Sequence, residues 1–347
     1  ATEPANAGKI EKCRHAGKII VRVSGEYLNG MGDVTMILLR RMCLVILVFM
    51  VCLAIGPQTA LATEGGSSYY FPGASATFGV GVAPHPGFMM ANQLIYYRGS
   101  AERAVLRGHV NLELESTAVY NFLAGFYTFK KPALGGRLQL GAAVPVGTVD
   151  VNVGADTSIG SRNLSQSATS IGDSMASAAL HWHKGNFHYK LVQSVFMPTG
   201  GYTKGNLANL SRNYWGFDTS LAITWLNPKT GTEISIMPGI MLNTKNHATD
   251  YQSGNEFHVD FALNQFLKPN FAVGLHGYYY SQLTGDSGSG AKLGSFQGQS
   301  LGFGPAILWI PKFGKGNLSV VAKWLRDVDQ SKRMHGDYAQ FTIGYKF

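Results

Sequence analysis

The sequence predicts an all-β chain, a transmembrane antiparallel up-and-down β-barrel of about twelve strands, an even number, with both termini on the periplasmic side. Three observations predict it. Segments of strict two-residue alternation recur along the chain. The connections between them alternate long and short. Charge is scarce, at 14% of 347 residues, where a soluble chain carries roughly 25%.

The chain divides in order. Residues 1–35 carry no pattern and read as an upstream extension, untranslated or disordered, with a start at Met31 or Met36. Residues 36–62 read as a cleaved signal peptide. Arg40 and Arg41 precede the apolar run MCLVILVFMVCLAI at 42–55, and Ala60-Leu61-Ala62 closes it. That run is short of the roughly 20 residues of a spanning helix and has the basic flank and small-residue ending of a secretory signal. Cys13, Cys43 and Cys52 all lie before the cleavage point, so the processed chain holds no disulfide framework and no thiolate metal site. Residues 63–86 are Gly-rich and carry one charge, Glu64, beside Tyr69, Tyr70, Phe71 and Phe78. They read either as a periplasmic tail or, because of the aromatics, as a plug folded back into a lumen.

Residues 87–347 carry the barrel. The alternating segments are 87–98, 112–129, 136–149, 173–183, 187–198, 214–226, 232–243, 255–266, 271–282, 299–310, 317–327 and 337–347. In the stretch from Glu256 to Asn264, Phe257, Val259, Phe261 and Leu263 share one face and Glu256, His258, Asp260 and Asn264 the other. Successive side chains of a strand point to opposite faces, so each face declares its own solvent. The short connections are 130–135, 184–186, 227–231, 267–270 and 311–316, and the long ones 99–111, 150–172, 199–213, 244–254, 283–298 and 328–336. A soluble sandwich has no reason to keep that rhythm. An outer-membrane barrel has short periplasmic turns and long outer loops. In lipid every backbone polar group needs a partner inside the protein, which a closed barrel supplies.

The chain ends on Phe341, Ile343, Tyr345 and Phe347 along one face. Trp225, Trp309, Trp324, Tyr345 and Phe347 fall near segment ends, the place of an aromatic girdle. Tyr345 and the terminal Phe347 resemble the signal that the outer-membrane insertion machinery reads.

Several stretches look like one family: EGGSSYYFPG (64–73), PHPGFMMANQLIYY (84–97), IGDSMASAALHWHKGNFHY (171–189), VFMPTGGY (195–202), NYWGFDTSLAITWLNPKTGTEIS (213–235) and TDYQSGNEFHVDFAL (249–263). Together they resemble the outer-membrane proteins of the meta-pathway of phenol degradation, over nearly all of the chain beyond residue 62. The resemblance implies a bacterial outer-membrane barrel that passes aromatic or other hydrophobic compounds.

Candidate lumen residues follow from the inward face. Glu256, His258 and Asp260 are the densest ionisable cluster at strand spacing, and His276, Tyr278 and Tyr280 add to it from the next strand, with Asp218 and Lys323 elsewhere. They fit either a constriction that orients a polar head or a hydrogen-bond network filling a small barrel. Pro238 and Pro305 lie inside strands, where proline cannot donate to the ladder, and mark possible gaps in the wall. His181 and His183 have metal-compatible spacing but adjoin a short turn and read as interfacial. No residue is assigned to catalysis: Ser253 near His258 lacks a local motif joining a nucleophile to a base. The expectation is therefore a passive uptake channel for small hydrophobic or aromatic compounds. A structural or adhesive barrel with a filled lumen comes second, and an outer-membrane hydrolase third. Its partners are outer-membrane lipid, the insertion machinery and an apolar solute, with no cofactor, metal or nucleic acid. The formal charge of +9 includes no basic run.

Overall fold

The computed structural model describes residues 64–106, 109–157, 160–295, 297–313 and 316–347. The upstream extension and the signal peptide lie outside the described residues. The strands are β1 (Gly87–Leu106), β2 (His109–Thr128), β3 (Arg137–Thr157), β4 (Gly160–Ile171), β5 (Ser174–Lys184), β6 (Phe187–Met197), β7 (Gly216–Asn227), β8 (Thr232–Asn243), β9 (Glu256–Lys268), β10 (Phe271–Gln282), β11 (Gln299–Trp309), β12 (Lys312–Phe313), β13 (Gly316–Ser331) and β14 (His335–Lys346). Twelve of them form a closed antiparallel barrel. Each pairs with its sequence neighbour, and β1 closes on β14 from Met89↔Lys346 to Ser100↔His335. The two extra strands are β4, which pairs only with β3, and the two-residue β12 in the turn before β13.

The alternation becomes two solvents. Leu123, Leu263, Ile234, Phe341 and Ile343 stand on the outer face, each 40% or more exposed, while Glu256, His258, Asp260 and Asn264 on the inner face are 1% exposed or less. That inversion, polar in and apolar out, is what a hydrocarbon exterior selects. The short-turn rim carries Phe88, Trp309, Phe313 and Phe347 on its outside. Phe347 packs edge-on against Tyr345, ring centroids 4.8 Å apart, and stacks on Phe88 across the closing seam. Trp324 departs from the girdle position expected of it. β13 runs on to Ser331, which leaves Trp324 in mid-strand, exposed on the outer face.

Two connections expected to be loops are strands instead. The described residues of 99–111 extend the β1–β2 ladder to Leu106↔His109, and those of 150–171 form the upper half of β3 with β4. β3 changes partner at Pro145. It pairs with β5 as far as Ala143↔Met175 and with β4 from Val146↔Ile171, and the Gly172 N–H donates to the Pro145 carbonyl at 2.8 Å. Above that point the outward residues turn polar, as in Asp150 and Asn152, while Val149, Val151 and Val153 stay buried inside. Amphipathic patterning thus continues past the apolar band, and those residues read as loop only because their polar set is denser. In the same way 328–336 shrinks to a turn between β13 and β14.

Pro238 and Pro305 each keep one ladder and interrupt the other. Pro238 pairs with Val259 of β9, but β7 and β8 lose register pairing between Ser220↔Gly239 and Ile223↔Ile236. Pro305 pairs with Leu275 of β10, while β11 and β13 lapse between Phe303↔Arg326 and Ala306↔Lys323. The missing proline N–H accounts for each lapse. At the second, the strands stay in contact through Gly304, where a Cβ would meet the Trp324 carbonyl oxygen at 2.0 Å. Gly304→Val is accordingly expected to destabilise the barrel by on the order of 1–3 kcal/mol. Urea titration of the heat-modifiable band on a gel measures this, and an unchanged midpoint would show that the seam has room to spare.

Candidate functional site

The first and last barrel strands end together at the short-turn rim, but the residues before β1 turn back into the barrel. Glu64 therefore lies among the long loops at the opposite rim, its N–H 3.5 Å from the Ser253 hydroxyl and its carboxylate accepting from Asn246 at 3.1 Å. From there the segment descends the lumen. Arg212 donates to the Ser67 carbonyl at 3.0 Å. The Tyr69 hydroxyl sits 2.6 Å from both Asp173 and the Tyr214 carbonyl, with its ring stacked on Phe196. Tyr70, 5% exposed, donates to Asp260 at 3.1 Å and stacks on His258 at 4.0 Å between ring centroids. Phe71 packs among Tyr97, Tyr120 and Tyr338.

Below these, Lys323 donates to the carbonyls of Gly73 and Ala76, both at 2.6 Å, and points toward that of Ala74 at 3.4 Å. The segment turns here, and Gly73 sits at φ 76° against Leu325, where a side chain would collide at 2.4 Å. Only glycine meets both demands. Phe78 then packs on His276 and Phe266, Gly79 donates to Glu233 at 2.8 Å, Gly81 donates to Thr224 at 3.0 Å, and Arg137 holds the Pro84 carbonyl at 3.0 Å before β1 begins.

The candidate lumen residues are thus brought together, but around protein. Besides contacting Tyr70, His258 approaches Asp218 at 3.3 Å, and Ser220 donates to the same Asp218 oxygen at 2.8 Å. Glu256 accepts from Asn243 at 2.7 Å, and His276 meets Asn264 at 2.9 Å. Tyr278 donates to Asp327, and the Tyr280 ring lies 3.7 Å from the Arg333 guanidinium carbon. A buried polar wall left without partners would cost free energy at every group, and the backbone of the segment supplies several of them. His181, expected at the interface, is 3% exposed and faces inward. Its alternation phase puts it on the lumen face, where the N-terminal segment covers it.

A cavity of about 170 Å³ remains at the long-loop rim, between residues 64–72, the walls of β1–β3 and β14, and the 202–214 region. Its surface is largely apolar, with Phe71, Tyr97 and Tyr120 on one side and Leu114, Val151 and Leu210 on another. Arg212 and Arg333 also line it, with Glu64 and Asp327. Of the eight lumen candidates only Tyr278 is among its walls. Sequence reading missed the rest because Arg212 and Arg333 stand in connections without periodicity. Tyr97 and Tyr120 alternate like any strand aromatic, and nothing local shows that they meet Phe71.

The loops over this rim carry the titratable groups clear of the membrane. Burial pushes the Glu64 carboxyl up, opposed by Asn246 and Thr249. The exposed Asp250 is held below the usual carboxylate range, first by its contact with Lys245 and then by Ser289. Asp286 accepts from Tyr251, from the Gly254 N–H at 2.9 Å and from Gln282 at 2.6 Å, which ties the 283–298 connection to 244–254.

A family model described as "Putative MetA-pathway of phenol degradation" matches residues 99–343. Among solved structures, the COG4313 outer membrane channel from Pseudomonas putida F1 superposes with a TM-score of 0.60 at 14% identity, over 76% of this chain and 97% of that one. The translocator domain of the autotransporter NalP from Neisseria meningitidis gives a TM-score of 0.40 at 12% identity, over 77% and 91%. A FadL homologue from Pseudomonas aeruginosa gives 0.36 at 8%, over 84% and 98%. No curated protein matches the chain. The barrel shares the fold of the COG4313 outer membrane channel.

Asp286 generates a pH prediction. Burial raises its carboxyl to about 6, whereas the unfolded chain ionises it near pH ~3.9. The folded form therefore binds the proton more tightly. Its contribution to the 244–254 and 283–298 arrangement is full below pH ~4 and is lost as pH rises through about 6. Backbone hydrogen exchange at Gly254, corrected for intrinsic rate, is expected to be better protected at the acid end, and Asp286→Asn to flatten the profile. An identical slope in Asp286→Asn would assign the effect to another group.

Proposed function

Because the chain belongs to this phenol-degradation pathway family, we propose that it is a passive uptake channel for small hydrophobic or aromatic compounds and not an enzyme. The observation that carries this reading is the aromatic-lined cavity at the long-loop rim, poised above a segment that runs the length of the lumen. A solute arriving from the long-loop side loses its water against Phe71, Tyr97 and Tyr120, a gain of roughly 25 cal/mol per Å² of apolar area removed from water. Binding and release down a gradient suffice for net uptake, with the short-turn rim facing the periplasm and Tyr345–Phe347 serving the insertion machinery.

Below the cavity the path is held by the segment. Tyr70 and Gly73–Ala76 are fastened to Asp260 and Lys323, so axial passage requires the segment to shift. A sideways exit into lipid would use the lapsed ladders beside Pro238 or Pro305. The buried contacts of the segment also favour the second reading, a barrel whose filled lumen is structural. Catalysis has no support in the site. Ser253 is bonded to the Glu64 N–H, and His258 to Asp218.

Two outcomes follow. A deletion strain is expected to take up limiting phenol or toluene more slowly, with the full chain restoring the rate; unchanged uptake of every apolar solute would leave the structural barrel in front. In the double variant His258→Ala, Asp260→Ala the segment loses its central stack and hydrogen bond. Uptake and single-channel conductance are then expected to rise, since these residues hold the segment and not the solute. A fall in solute uptake with barrel folding intact would return them to a solute-binding role.

A further inference from the structure

The cavity holds two guanidinium groups whose protein partners are all neutral. Arg212 donates to the Ser67 carbonyl at 3.0 Å and to its hydroxyl at 3.1 Å and 3.2 Å. Arg333 is 6% exposed. Its Nη2 reaches the Tyr70 carbonyl at 3.4 Å, its guanidinium carbon lies over the Tyr280 ring, and its buried Nη1 has no hydrogen-bond partner. Neither forms an ion pair among the described residues. A buried guanidinium N–H left without an acceptor is costly, and Arg333 Nη1 is one.

Three acids stand near them, Glu256, Asp327 and Glu64, and none comes within ion-pair distance of either guanidinium. Glu256 accepts from Asn243 at 2.7 Å. Asp327 spends its two oxygens on the Tyr278 hydroxyl and the Gly336 N–H, the latter at 2.8 Å. Glu64 accepts from Asn246 at 3.1 Å, and burial favours its neutral form. Acids bonded to neutral donors and arginines bonded to neutral acceptors leave the arginines with spare donors in an aromatic enclosure.

We propose that this cavity selects the carboxylate form of a monocyclic aromatic acid, with the acid group on Arg333, assisted by Arg212, and the ring against Phe71 and Tyr120. Guanidinium pairs with carboxylate through charge-assisted hydrogen bonds that an ammonium or amide does not reproduce. The volume fits one ring: the cavity measures about 170 Å³, and an apolar cavity of ~150 Å³ elsewhere holds one benzene. This rests on the reading of the cavity as the solute site and narrows it from neutral aromatics to their acids.

The test is equilibrium dialysis of the full-length protein in detergent against labelled benzoate and its neutral ester, methyl benzoate, at neutral pH. Wild type is expected to bind benzoate about tenfold more tightly than the ester, as one charge-assisted hydrogen bond would give. Arg333→Gln is expected to remove that preference and leave the ester's affinity unchanged, while Arg333→Lys restores part of it. Arg212→Gln gives a second, smaller loss that does not depend on Arg333→Gln folding. Equal binding of acid and ester by wild type, or equal weakening of both in Arg333→Gln, would overturn the proposal while the cavity reading stands. If neither probe binds wild type, both readings fall.

Discussion

Everything in this molecule follows from the obligation to pair backbone N–H and C=O groups where no water can. The seam from Met89↔Lys346 to Ser100↔His335 discharges it by closing the sheet. Closure fixes an inside and an outside for every strand residue, and that makes a strict two-residue code meaningful. It also sets a second problem. The inner faces of β7–β10 and β13 carry Asp218, Glu233, Glu256, His258, Asp260, His276 and Lys323, and these polar groups are taken away from bulk water as soon as the barrel forms.

The N-terminal segment answers that problem with its own backbone. Lys323 donates to two carbonyls at 2.6 Å, one oxygen of Glu233 accepts from the Gly79 N–H, and one of Asp260 accepts from the Tyr70 hydroxyl. The relation is mutual, since an irregular chain inside a membrane protein has to be satisfied by the wall around it. Glycine is what allows the close fit, at Gly73 against Leu325 and at Gly81 against the His188 carbonyl and Thr224. Segment and wall are therefore one hydrogen-bonded unit, and the cluster that fitted either a constriction or a filling network clasps Tyr70 of the segment. The cavity is the space left above that clasp, where the tall β1–β3 wall and the 199–213 connection rise beyond the apolar band.

The sequence determined the fold class, the strand count, the closure and the outward apolar face. Each of these depends on alternation and connection length, which are properties of neighbours along the chain. It also marked Glu256, His258 and Asp260 as inward, because phase along one strand is a local fact. It did not determine where the wall stops, since 99–111 and 150–172 keep a weak alternation that polar composition masks. What those inward residues meet, and that Arg212 and Arg333 line one cavity with Phe71, only the tertiary structure decided. The segment lies more than a hundred residues from most of its partners, as with Tyr70 and Asp260 at a separation of 190. Contacts of that range are set by closing the barrel around the segment, and no local pattern encodes them.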